Sequence, residues 1–209
     1  MQAKSATTTI TAQADATVRS KVFMDLQKGV YPNILFYISR SCDFELILYN
    51  CIRTGDRLHK SIANVDTYNY SDKKDTGPVT PILVDNFFGF TSKPRPEPEE
   101  GKNTYSTSIR ALPDRKLFIK LGKSKTHVYG RVGNVSRAII INVHIDMTMP
   151  TVGVPRINKF VLTGIDKKTK QFTQETITVT DSMRERVDIA AIFKEYMIGR
   201  RRDESEKLH

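Results

Sequence analysis

The chain has 209 residues, with 33 Lys or Arg against 23 Asp or Glu, and a formal net charge of +10. This length fits one large domain with appendages. No run of about 18 apolar residues occurs, so we expect no membrane-spanning helix and no membrane partner. Two cysteines are too few for a disulfide framework.

The N-terminal segment is polar and rich in Thr and Ala, without the apolar stretch of a secretory signal. We therefore expect residues 1–16 to be a disordered extension and the protein to be cytoplasmic. Apolar residues at helical spacing then predict an amphipathic helix over about residues 17–28, which Gly29 ends. These apolar residues are Val18, Val22, Phe23 and Leu26.

Branched and aromatic residues dominate the next segments, 33–40 and 44–52, and predict two strands joined as a hairpin. Cys42 and Cys51 lie at opposite ends of the second strand, too far apart to bridge, so we expect reduced thiols. Residues 93–101 (KPRPEPEEG) hold three prolines and three glutamates, which do not form a central strand. We interpret them as an exposed acidic loop within a β-domain that spans residues 17–180.

From residue 104 onwards, short apolar-alternating segments separated by turn residues predict strand after strand. This pattern is typical of a mainly β fold, either an antiparallel β-sandwich or a partly open barrel. The last predicted element is an amphipathic helix at residues 182–201, within a C-terminal unit of residues 181–209.

The whole positive excess lies between residues 110 and 170, where thirteen Lys or Arg face three acids. Because this stretch is predicted to be β-structure, a sheet should hold the charge rigidly. In residues 115–121 and 126–132, alternation places Leu117, Ile119, Leu121, Val128 and Val132 in the core. In residues 136–148 it places Ile139, Ile141, Val143, Ile145 and Met147 there.

The opposite face of the first two of these strands alternates basic and aromatic side chains. Its residues are Lys116, Phe118, Lys120, His127, Tyr129 and Arg131. Such a face suits an acidic protein surface, with aromatic anchors and charged rims, or a phosphate-rich strand bound by charge and stacking. A third interpretation is structural, with the two aromatic residues packed under the terminal helix.

No motif indicates catalysis or a cofactor. Residues 122–124 resemble the end of a phosphate-binding loop, but Leu117 stands where that motif requires glycine. His144 and Asp146 share one strand face, yet a metal site needs at least a third ligand. We therefore expect no catalytic residues, no metal and no cofactor, and keep an enzyme with a His144/Asp146 site as an alternative.

Four segments carry a resemblance to a known family: 33–41 (NILFYISRS), 81–89 (PILVDNFFG), 111–120 (ALPDRKLFIK) and 154–178 (VPRINKFVLTGIDKKTKQFTQETIT). Over about residues 32–179 the chain resembles a β-rich domain-of-unknown-function family found in bacteria and flagellated protists. The family supplies no activity or site residues to transfer. Its occurrence in flagellated cells implies a cytoskeletal setting, with the N-terminal extension and terminal helix as additions.

These observations favour a non-catalytic structural or adaptor protein within a larger assembly. We expect its basic face to dock on an acidic, tubulin-like surface, which gives a microtubule-associated role in the cytoskeleton or flagellar axoneme. The alternative from another class is an RNA- or ribonucleoprotein-associated binding module.

Overall fold

The computed structural model describes residues 3–29, 31–41, 45–54, 57–71, 74–78, 94–109, 112–122, 125–148 and 156–186. Strands dominate these residues, which confirms the mainly β prediction. The elements are α1 (Ala3–Lys28), β1 (Ile34–Arg40), β2 (Glu45–Thr54), β3 (Arg57–Asn69), β4 (Lys74–Pro78), β5 (Arg95–Pro96), a 3-10 turn (Pro98–Glu100), β6 (Thr104–Ile109), β7 (Leu112–Leu121), β8 (Thr126–Val132), β9 (Val135–Thr148), β10 (Arg156–Asp166), β11 (Phe172–Thr178) and α2 (Asp181–Arg186).

The strands form one curled sheet that resembles a half-barrel. Its order is β4-β3-β2-β1-β9-β8-β7-β6-β5, while β10 pairs with the other edge of β9 and with β11. Of the two predicted architectures, the partly open barrel is the closer description. The β1–β9 pair is parallel, so the sheet is not antiparallel throughout.

The main core lies on the inner face of this curl. Leu117, Ile119, Val128 and Val132 are at most 2% exposed and belong to it, as alternation predicted. Leu121 packs against the same cluster. The side chains that alternate with these core residues along β7 and β8 point to the outer face.

In strand β9 the residues that face the core differ from those predicted by alternation. Ile141 has no partner in β10, because Asn142 pairs with Thr163 and Ile140 with Gly164. An extra residue of this kind is a β-bulge, which shifts the inward-facing set by one position. Ala138 and Ile140 therefore join the core, with Val143 and Ile145, whereas the predicted core residue Ile139 does not. Gly164 fits the bulge because a Cβ there would lie 2.8 Å from the Ile139 carbonyl oxygen.

Helix α1 packs on the outer face of β1, β9, β10 and β11. It begins at Ala3 and so includes most of residues 1–16, which we expected to be an extension ahead of the helix. Alanine favours helix, and no Pro or Gly interrupts the segment before Gly29. Val22 and Leu26 are buried against β1 and β2 as predicted, whereas Val18 is 63% exposed. None of the helices in the described part of the chain is long and apolar enough to cross a bilayer.

Several predictions fall partly outside the described residues. Helix α2 begins near the predicted position, but residues 187–209, and with them most of the predicted terminal helix, are not described. The same applies to Cys42 and to residues 79–93. Cys51 is a free, buried thiol, and its Sγ donates to Thr126 Oγ1 over 3.6 Å.

Candidate functional site: a basic face on β7 and β8

Strands β7 and β8 pair as an antiparallel hairpin, with Phe118 opposite Tyr129 and Lys120 opposite His127. Cross-strand partners share a face, so the sheet brings the predicted residues together on its outer side. We call the surface formed by Lys116, Phe118, Lys120, His127, Tyr129 and Arg131 the basic face. Its three Lys or Arg side chains are exposed, whereas Phe118 is half-buried and Tyr129 is buried.

An apolar row runs through the basic face and across its neighbours. The rings of Phe118 and Tyr129 stack with centroids 5.5 Å apart and planes 22° apart. Beyond them, Tyr129 pairs with Ile139, Ile139 with Ile165, and Ile165 with Phe172. The row thus crosses five strands. Sequence analysis missed it because Ile139 was assigned to the core.

Additional cations border this row beyond those the sequence pointed out. The Arg137 guanidinium lies 5.3 Å from the centroid of the Tyr129 ring, within cation–π distance. A pocket of about 290 Å³ lies beside it. Its lining residues are Lys120, Gly122, Lys125, His127, Tyr129, Arg137, Ile139 and Lys167.

Two polar groups that line the pocket, the His127 ring and the Tyr129 hydroxyl, are partly or fully removed from water. Burial lowers the pKa of His127, and the nearby charges of Lys125 and Lys167 lower it further. The ring is therefore neutral at pH 7 and acts there as a flat aromatic surface. The Tyr129 hydroxyl is buried without a hydrogen-bond partner among the described residues, which is a costly arrangement.

The acidic segment of residues 94–101 lies against the edge of this surface. Within the segment expected as an exposed acidic loop, the two residues of β5 pair with β6 and a short turn follows. The Glu97 carboxylate accepts a hydrogen bond from Ser106 Oγ (2.6 Å) and forms an ion pair with Lys116 Nζ (3.6 Å). Both contacts lower the pKa of Glu97, the Ser106 hydrogen bond more than the Lys116 charge.

A second carboxylate of the acidic segment reaches across the basic face. Glu100 forms an ion pair with Arg137 on β9, three strands away from β6. Lys116 of the basic face and Arg137, which borders it, are thus partly neutralised by the chain itself. Lys120, Lys125 and Arg131 have no carboxylate partner within the described residues, so a net positive field remains.

His144 and Asp146 lie on the outer face beneath α1, away from the basic face. His144 Nδ1 is hydrogen-bonded to Ser39 Oγ (3.0 Å), and Asp146 forms an ion pair with Lys159 (3.3 Å). Within the residues that the structure describes, no group of three His, Cys, Asp or Glu could hold a metal ion. We assign no chemistry to this pair, because each side chain is engaged by a structural neighbour.

The fold and this surface define a β-domain with a helix on one part of its outer face and a cationic, aromatic surface on another. A family model described as Domain of unknown function (DUF4833) matches residues 36–176, more than half of the chain. The chain belongs to this family, which confirms the resemblance seen in the sequence. The match includes the basic face but not α1. No curated protein and no solved structure matches the chain.

Proposed function

We propose that the protein is a non-catalytic docking protein that binds an acidic protein surface through its basic face. The observation that carries the proposal is the stacked pair of Phe118 and Tyr129 bordered by exposed cations. Lys120 and Arg131 are exposed without a carboxylate partner among the described residues. The sheet fixes the positions of their backbones, so only the side chains lose freedom when a partner binds.

The two kinds of side chain have different roles in this proposal. Exposed cations attract a negatively charged partner and accelerate the encounter, but each contributes little affinity in water. The apolar row supplies surface that loses water when it is covered. A partner with carboxylates around an apolar or aromatic residue would complement both.

The more specific form of the proposal is a microtubule-associated role, as a component of a cytoskeletal or axonemal assembly. What supports it is charge complementarity, since tubulin surfaces are strongly acidic and the uncompensated charge here is positive. The same charge complementarity favours a cytoplasmic location with access to such polymers.

Cosedimentation with purified microtubules tests this role. We expect the wild-type protein to pellet at low salt and less so at moderate salt, because salt screens exposed charges. The triple variant Lys116→Glu, Lys120→Glu and Arg131→Glu should lose most binding. The control reverses Lys21, Lys28 and Arg156, which are exposed, lie outside the basic face and its pocket, and change the net charge equally. Equal loss in both variants would reject a localised site.

RNA binding is a second candidate, because interleaved basic and aromatic residues also suit stacking with bases. Binding to a homopolymer RNA at several salt concentrations separates the two. A steep dependence of affinity on salt concentration, together with affinity above that for microtubules, would favour RNA. A flat dependence or no detectable binding would remove it.

A further inference from the structure

The chain carries its own acidic ligand for the basic face. Glu97 forms an ion pair with Lys116 of the basic face, and Glu100 forms one with Arg137, which borders this face beside Tyr129. These two carboxylates are three residues apart and belong to one short turn. Glu99, between them, is exposed and makes no ion pair within the described residues.

We infer that the basic face takes an acidic peptide segment with carboxylates three residues apart, and that residues 97–100 occupy this position until such a segment displaces them. This inference rests on the proposed function and specifies both the partner's chemistry and the regulation of the site. The internal segment shows which geometry the cations accept.

The internal contacts are suited to exchange. The side chains of Lys116 and Arg137 are 60% and 63% exposed, and ion pairs at such positions are weak. Strand β5 has only two residues, and prolines at 94, 96 and 98 donate no backbone hydrogen bond. Beyond the strand, two backbone bonds join the segment to β6, from Glu97 N to Thr104 O (2.9 Å) and from Thr104 N to Gly101 O (3.2 Å). The hydroxyls of Thr104 and Ser106 add one hydrogen bond each, to the Glu100 carbonyl oxygen and to the Glu97 carboxylate.

A partner must displace the internal segment, residues 97–100, before it can bind all of the basic face. A tethered segment acts at an effective concentration on the order of millimolar. A single acidic peptide at micromolar concentration therefore competes poorly. A dense acidic surface competes better, because it also engages Lys120, Lys125 and Arg131, which the internal segment leaves unpaired among the described residues.

Fluorescence anisotropy with two labelled probes tests the inference. One probe is poly-glutamate, and the other is a synthetic peptide with the sequence of residues 94–101 (PRPEPEEG). The variant Glu97→Gln/Glu100→Gln should bind both probes about fivefold or more tightly than wild type, the equivalent of losing one exposed ion pair. Glu99→Gln is the control, because it changes the charge of the same turn without touching either ion pair. The increase in probe affinity per charge removed should be clearly smaller for Glu99→Gln than for the double variant.

The outcomes separate the two proposals. If neither wild type nor the double variant binds poly-glutamate, the proposed function is wrong and this inference falls with it. If wild type binds but the double variant gains no more per charge than Glu99→Gln, only the internal competition is wrong. A peptide with glutamine at the positions of Glu97 and Glu100 should bind the double variant more weakly than the original peptide. Equal affinity would overturn the proposed carboxylate spacing.

Discussion

The outer surface of the sheet has two regions, which differ in how far their positively charged side chains are exposed to water. On the side of α1 that faces the sheet, Arg19 is half-buried, and burial lowers its pKa. Its Nη1 donates to Asn142 Oδ1 over 3.4 Å, and Tyr37 donates to its backbone oxygen over 3.1 Å. On β7 and β8, by contrast, Lys120 and Arg131 are exposed to solvent.

The region beneath α1, which we call the covered region, is joined by a continuous chain of hydrogen bonds, whereas the basic face forms the open region. The residues of this chain are Arg19, Asn142, Ser39 and His144. Asn142 Nδ2 donates to Ser39 Oγ over 3.1 Å, which leaves the Ser39 hydroxyl proton free to bond to His144 Nδ1. Buried polar groups are tolerated only when they are satisfied in this way. Charge beneath α1 therefore serves the structure, whereas charge on β7 and β8 stays available to a partner.

Removing the Asn142 side chain, which bonds to several groups of the covered region, should cause the largest loss of stability there. Asn142 is fully buried and also donates to the Tyr37 carbonyl over 3.3 Å. Asn142→Ala leaves Arg19 and Ser39 without this partner, so we expect a loss of about 2 kcal/mol in the free energy of unfolding. Lys120→Ala on the open region should change it by less than about 0.5 kcal/mol. Urea denaturation measures both, and similar losses would contradict the comparison.

The bulge in β9 separates the two regions, since Ile139 precedes it on the open side and Asn142 follows it on the covered side. A side chain at Gly164 would meet the Ile139 carbonyl oxygen at 2.8 Å and the Ala138 Cβ at 3.1 Å. We expect Gly164→Val to cost about 1–3 kcal/mol in unfolding free energy. It should also weaken partner binding by displacing Ile139. A fully stable variant would show that the bulge is not required.

Acid should loosen the covered region through His144. Burial lowers its pKa, and the charge of Arg19 on α1 lowers it further. Asp146, Lys159 on β10 and Asp15 on α1 also act on it, the two carboxylates in the raising direction. Because the folded state prefers the neutral ring, its stabilisation is complete above the unfolded pKa of about 6.5 and is lost as pH falls through the folded value.

Thermal unfolding of wild type and His144→Gln at pH 7.5, 6 and 5 measures this contribution. The melting temperature of wild type should fall more over this range than that of the variant. Parallel curves would mean that protonation of His144 is not linked to folding.

His127 should give the open region the opposite response to acid. It is neutral at pH 7, and an acidic partner would raise its pKa by favouring the charged ring. Binding then takes up a proton, so affinity for poly-glutamate should rise a few-fold between pH 7 and pH 5.5. His127→Asn should remove this rise while keeping most of the affinity at pH 7. A rise of the same size in the variant would assign the effect to another group.

The sequence predicted what depends on local alternation, and less of what depends on distant contacts. Leu117, Val128 and the six residues of the basic face follow from a simple period of two, and the structure places them accordingly. Ile139 was misassigned because one extra residue in β9 reverses the period, and a bulge within a run of three isoleucines, residues 139–141, has no clear sequence signature.

The long-range pairings could not be predicted at all. The ion pair of Glu100 with Arg137 joins positions 37 residues apart, and the parallel β1–β9 pair joins residues 105 apart, such as Tyr37 and Asn142. A charge pattern shows that acidic and basic segments exist, but not that the sheet brings them together. The acidic segment therefore looked like a solvated loop.

An NMR titration of the isotope-labelled protein with poly-glutamate locates the binding surface. If the basic face is the docking surface, amide signals of residues 116–120 and 127–131 shift first and saturate together, followed by residues 97–101 as the acidic segment is displaced. Signals around Ser39, Asn142 and His144 should stay unchanged. Shifts centred on those three residues, or spread evenly over every exposed lysine, would show that the basic face is not the docking surface.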